Sequence, residues 1–306
     1  MRGAVKQTLG TGVLILLAVG FTDALADRTR VPRFHQNATS YIPDQGYDAG
    51  YDAGYDAGYD AGVDAGLTSE KATLIANGSD DYVTFADRAA FTGGSGATLF
   101  SWSCWARHTT TDDGEYVLWH GTNGVGGSYL VTIGGGTGDE LVFYICTNAA
   151  CTLNTFTFTN ISNLATNTWY QIGGTYNGGT PSMIVYVNGS APSQTTTGVV
   201  PATMLDGTTQ LTIGGDVSGA AGSAFSGYLD ECAIFQCELS AANMSAIYNG
   251  GVPTHFSSLS LTCQPSFWSR MGENPGTGTT QADEGGGASG TCTNMTDTAC
   301  TGTARP

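Results

Sequence analysis

The sequence predicts an all-β chain: a two-sheet antiparallel sandwich with one short helix near its C-terminal end, held on an N-terminal repeat stalk. Three observations predict it. Short alternating apolar runs recur about every 8–12 residues between Gly-rich turns, the spacing of sandwich strands. Only 12% of residues are charged, whereas Gly, Thr, Ser and Asn are abundant, the composition of an exported β-protein with many turns. Residues 225–251, FSGYLDECAIFQCELSAANMSAIYNGG, read as strand, turn and helix. Leu229, Ala233 and Phe235 interleave with Asp230, Cys232 and Ile234 in a strand pattern. Ser240 then offers an N-cap, and Ala241, Met244, Ile247 and Tyr248 share a helical stripe ended by Gly250 and Gly251.

The 306 residues leave room for one sandwich of about 200 residues plus extensions. With 10 Lys+Arg against 26 Asp+Glu, the formal charge is −16. Such a balance excludes nucleic acid, which is bound through basic surfaces, and unaided docking to anionic lipid.

Residues 1–26 read as a secretory signal peptide. Arg2 and Lys6 form the basic region, residues 13–21 the apolar core, and Ala24-Leu25-Ala26 the cleavage site. The apolar run is too short for a bilayer and Asp23 interrupts it, so no membrane span is expected after cleavage. Residues 27–45 form an irregular lead with Pro32, Pro43 and a lone His35. Residues 46–66 are a tetrapeptide repeat, GYDA four times, then GVDA, then Gly66. On a helix a four-residue step drifts each stripe about 40° per repeat, so the glycines would wind into a groove for close helix approach. Alone that helix is disfavoured, because each glycine costs about 1 kcal/mol against alanine and the aspartates repel. Two readings stay open: a flexible acidic linker, or a helix formed on self-association into a homo-oligomer. Either serves as a stalk.

From residue 72 to 251 the segments resemble laminin G-like jelly rolls of the concanavalin A-like class. ATLIANGSDDYVTF (72–85) is similar to the opening strand pattern, with Gly78, Asp81, Tyr82, Val83 and Phe85 in place. ATLFSWSCWAR (97–107) resembles the family's tryptophan strand, and NTWYQIGGTY (167–176) its W-[YH] strand. SMIVYVNG (182–189) ends in a hairpin Asn-Gly. Residues 115–119, 128–133, 140–146 and 210–215 supply further strands. The 225–251 segment resembles the closing strand and cap helix, F-x-G-x-[IL]-D-E followed by L-S-x-x-E, with Asn243 where the family usually has Glu. The resemblance implies a jelly-roll sandwich over 72–251. It does not fix function, since that fold carries lectins, adhesion modules and glycosidases.

Beyond Val252 the period is lost. Residues 267–295 resemble the lead-in found before such domains, so the 252–306 extension either packs on the sandwich as an extra edge, the reading favoured by its cysteines, or begins a further domain. Eight cysteines in an exported chain read as four disulfides, although sequence does not fix their pairing. Cys146 with Cys151, and Cys292 with Cys300, bracket hairpin-sized loops. The family resemblance places the strands of Cys104 and Cys232 side by side, which implies that pair and leaves Cys237 with Cys263. Zinc lacks its paired C-x-x-C spacing.

Glycoside hydrolysis needs two carboxylates flanking one bond. Asp112, Asp113 and Glu115 come closest, yet they precede a strand as solvated turn residues, and Asp139–Glu140 is a turn pair. His108, His120 and His255 have no G-x-S-x-G beside them. No enzyme is therefore expected. The resemblance implies a structural calcium site at Asp80, Asp81 and Asp230; the competing reading makes Asp230 a backbone acceptor and the other two turn residues. Trp119, His120, Asn123, Tyr129 and Tyr144 are the candidates for sugar binding through an edge or a concave face. The resulting expectation is a secreted or cell-surface adhesion protein that binds a glycan or a surface protein. The alternatives are a subunit of an extracellular fibre or surface layer and, more weakly, a polysaccharide hydrolase.

Overall fold

The computed structural model describes residues 71–75, 81–94, 96–110, 114–122, 125–134, 140–148, 151, 154–159, 164–217, 224–272, 279–295, 300 and 303–304. The leader, the irregular lead and the repeat lie outside them, as do Asp80, Asp112, Asp113 and Asn123.

Two antiparallel sheets face each other. One holds, in order, β16 (Thr303–Ala304), β1 (Lys71–Ile75), β12 (Gly227–Phe235), β3 (Leu99–His108), β8 (Tyr170–Asn177) and β9 (Ser182–Val187), with β13 (Phe267–Ser269) also paired to β12. The other holds β10 (Gln194–Thr197), β7 (Asn154–Thr159), β6 (Leu141–Cys146), β5 (Val125–Ile133), β4 (Glu115–Thr122), β11 (Leu211–Ile213), β2 (Tyr82–Phe85), β15 (Gly290–Thr293) and β14 (Thr280–Gln281). The expected all-β jelly-roll sandwich is the observed one.

Alternation along the strands builds the core, because successive side chains in a strand point to opposite faces. Phe100 and Trp102 of β3 meet Tyr129 of β5 and Phe143 of β6 across the layers, with ring centroids 4.6 Å apart for Phe100–Tyr129 and 5.7 Å for Trp102–Phe143. Burying each such ring contributes roughly 1.5–3 kcal/mol. The C-terminal extension does not stand apart. It lays β13 against β12, β15 against β2 and β16 against β1, so it adds strands to both sheets.

Helix α1 (Ala241–Tyr248) begins at a capping box. Ser240 Oγ accepts from Asn243 N (3.1 Å) while Asn243 Oδ1 accepts from Ser240 N (3.2 Å), so asparagine fills the role of the family's glutamate. The helix buries Met244 and Ile247; Ala241, expected on that stripe, is exposed. Asn249, at φ 46°, ends it one residue before the expected glycines. Disulfides join Cys104–Cys232, Cys146–Cys151, Cys237–Cys263 and Cys292–Cys300. The first lies between neighbouring strands β3 and β12, the second closes the β6–β7 hairpin, the third ties the extension to the sandwich, and the fourth closes a loop within the extension.

Candidate functional site

The outward face of the nine-stranded sheet carries a cross-strand row of rings and hydroxyls. Register sets Thr291, Thr84, Thr212, Trp119, Leu130, Tyr144, Phe156 and Thr197 opposite one another across eight consecutive strands. Tyr116 lies beside Trp119, with centroids 6.4 Å apart, and Tyr144 beside Phe156 at 5.2 Å. Tyr116, Leu130, Tyr144 and Phe156 are half-buried, and Thr197 and Thr291 are exposed. Strands stand about 4.8 Å apart, so Trp119 and Tyr144, two strands apart, are separated by roughly 10 Å.

Two glycines make room for the tryptophan. A Cβ at Gly121 would lie 2.4 Å from Trp119 Cζ2, and one at Gly127 2.7 Å from its Cη2. The indole therefore lies flat on the backbone of β4 and β5, and its Nε1 has no hydrogen-bond partner among the described residues. Burial pushes the Tyr116 phenol up, with Asp216 and Tyr144 adding to the shift. Burial does the same for Tyr144, opposed by a hydrogen bond with Thr132 and reinforced by Glu140. Both phenols stay protonated and can donate.

Of the five expected sugar-binding residues, Tyr144 and Trp119 belong to this face, although Trp119 is only 4% exposed and forms its floor. His120 and Tyr129 require correction: both are 0% exposed and point into the core. A strand forces this result, because His120 follows the outward-facing Trp119 and pairs with Tyr129. His120 stacks on Tyr129 (5.6 Å) and its Nε2 sits 3.2 Å from Asp87 Oδ1; burial lowers its pKa, and Asp87 pulls it partly back. Asn123 lies outside the described residues. Tyr116, Phe156, Thr84 and Thr197 were not singled out from sequence, since only register reveals that they share a row.

A family model described as the concanavalin A-like lectin/glucanases superfamily matches residues 77–245, more than half of the chain. The chain belongs to that superfamily. No curated protein matches the sequence. Among solved structures, a Bacteroides ovatus protein provisionally described as carbohydrate-binding is 17% identical, with a TM-score of 0.52 over 74% of this chain and 58% of that one. The heptameric SAP-like pentraxin of Limulus polyphemus is 14% identical, with a TM-score of 0.47 over 72% and 94%. The CBM40 of the Ruminococcus gnavus IT-sialidase, solved with α2,3-sialyllactose, is 10% identical, with a TM-score of 0.46 over 59% and 98%. The first of these likenesses shows the fold.

Three carboxylates of this superfamily member, Glu115, Asp230 and Glu231, are tied into the framework. Glu115 is buried and accepts from Thr110 Oγ1 at 2.6 Å. Asp230, 0% exposed, accepts from Glu231 N (2.7 Å) at the β-bulge of β12, where Glu231 adopts φ 49°. Glu231 is held there by Trp268 Nε1 (2.5 Å) and Arg270 Nε (3.3 Å). Asp81 leads into β2, in the opposite sheet from Asp230. No group of three or more His, Cys, Asp or Glu side chains is placed to hold a metal ion among the described residues.

Proposed function

We propose that the chain is an exported, non-catalytic binding protein whose sandwich holds a glycan on the outward face of the nine-stranded sheet. The observation that carries this reading is the row of Trp119, Leu130, Tyr144 and Phe156 with Tyr116 beside it. Rings offer sugars an apolar platform, and the flanking threonine and tyrosine hydroxyls offer hydrogen bonds of both polarities. Four disulfides fit an oxidising compartment outside the cytoplasm. No helix among the described residues is long and apolar enough to cross a membrane.

The test is an oligosaccharide array followed by calorimetry on the hits, for the wild type and Tyr144→Ala. Truncating an anchoring ring costs about 1–2 kcal/mol, so affinity should fall roughly tenfold or more while the melting temperature holds. Unchanged affinity in the variant would remove the face from the reading. The same titration in EDTA is expected to retain binding, since rings and hydroxyls hold a sugar without a metal; loss of binding in EDTA would bring calcium into the site.

A further inference from the structure

We infer that the glycan held by this face is uncharged, and that carboxylated or sulfated sugars are turned away; the inference rests on the glycan reading above. No lysine or arginine occurs between Arg107 and Arg270. That stretch encodes β4, β5, β6, β7, β10 and β11, and the three remaining strands of the sheet, β2, β14 and β15, also lack both residues. The arginines elsewhere in the sandwich are turned to other tasks. Arg88 pairs with Asp283 and Arg270 with Glu231, while Arg107, on the opposite sheet, lies 5.3 Å from the ring of Tyr228. The one histidine in the nine strands, His120, faces the core.

Negative charge, by contrast, stands beside the row's tyrosines. Asp216 follows β11 and acts on Tyr116; Glu140 precedes β6 and acts on Tyr144. A sugar carboxylate or sulfate brought onto this floor would lose its water shell, meet no cation and face those acids, the combination that makes charge burial unfavourable. A neutral sugar loses nothing of the kind. Its hydroxyls both donate and accept, as do those of Thr84, Thr197, Tyr116 and Tyr144.

The experiment is calorimetry of the intact protein with matched pairs: a neutral oligosaccharide that binds, and the same chain bearing a sialic acid, a uronic acid or a sulfate. At low ionic strength each acidic form should bind at least about tenfold more weakly than its neutral parent. The gap should narrow as salt screens the repulsion. Thr197→Arg, which places a cation on the exposed end of the row, should narrow it too. Equal or tighter binding of acidic forms, or salt weakening their binding, overturns the inference while leaving the glycan site standing. Binding of no glycan of either kind removes the site itself and this inference with it.

Discussion

Asp283→Ala measures how firmly the C-terminal extension is locked to the sandwich. The Asp283 side chain is fully buried in the loop between β14 and β15 and accepts from four donors. They are the Arg88 guanidinium, Trp268 N (3.1 Å), Gly285 N (2.8 Å) and Gly287 N (3.0 Å). One carboxylate thus joins the start of the 3₁₀ turn Ala89–Phe91, strand β13 and its own loop. Arg88 also lies over the rings of Phe91 (5.0 Å) and Phe267 (5.7 Å), so its charge cannot simply swing into water. Removing one partner of a buried pair costs about 3–5 kcal/mol. Arg88 keeps 24% of its side chain exposed, which places the loss near the lower end, at about 3–4 kcal/mol. For a domain of this size each kcal/mol moves the midpoint by about 2–4 °C, so thermal unfolding followed by circular dichroism should show a drop of roughly 6–16 °C. Arg88→Ala should cost nearly as much, and the double variant little more than either single one. A drop below about 2 °C for Asp283→Ala, or fully additive losses, would refute the claim that these groups act as one clamp.

Three further perturbations address other parts of the molecule. Gly121→Ala should lower stability by about 1–3 kcal/mol and alter tryptophan fluorescence, because the new methyl would occupy the Trp119 ring position. Burial holds the His120 pKa below its ordinary value, so the unfolded chain binds that proton more readily. Its contribution is therefore complete above about pH 6.5 and is lost as pH falls from there toward the folded value; His120→Phe should flatten the acid-side fall of the melting temperature between about pH 7 and pH 5. Replacing both Cys237 and Cys263 by serine opens a link spanning 26 residues and should cost about 2–4 kcal/mol, read as a lower midpoint with the sandwich still folded.

The sandwich was legible because most of its strands advertise themselves. Leu229, Ala233 and Phe235, or Trp102 and Cys104, stand in runs whose period and apolar weight leave few alternatives. Strands without that weight were not legible. Gln194–Thr197 is a run of one glutamine and three threonines, and β14 and β16 are two residues each; neighbours hold them in place rather than their own side chains. The site was half legible for a related reason. Trp119 and His120 are adjacent in one strand and so could not share a face, which sequence alone foretells once the strand is granted. Which of the two faces outward is decided by the bulge between Tyr116 and Leu118, which lets Val117 and Leu118 both be buried and resets the alternation. Phe156 joins Tyr144 through the register of the β6–β7 hairpin, which the pattern of neither strand records by itself. The Asp230–Glu231 bulge is similar: its left-handed backbone depends on Trp268 and Arg270, more than 35 residues away.

The central claim is that the outward face of the nine-stranded sheet is where sugar sits. A crystal structure of the protein with a bound neutral oligosaccharide tests it directly. Sugar rings resting over Tyr116, Tyr144 and Phe156, with hydroxyls reaching Thr84 or Thr197, are the expected result. Density for the sugar on the opposite sheet, beside helix α1, or at the loop ends away from this row would contradict it.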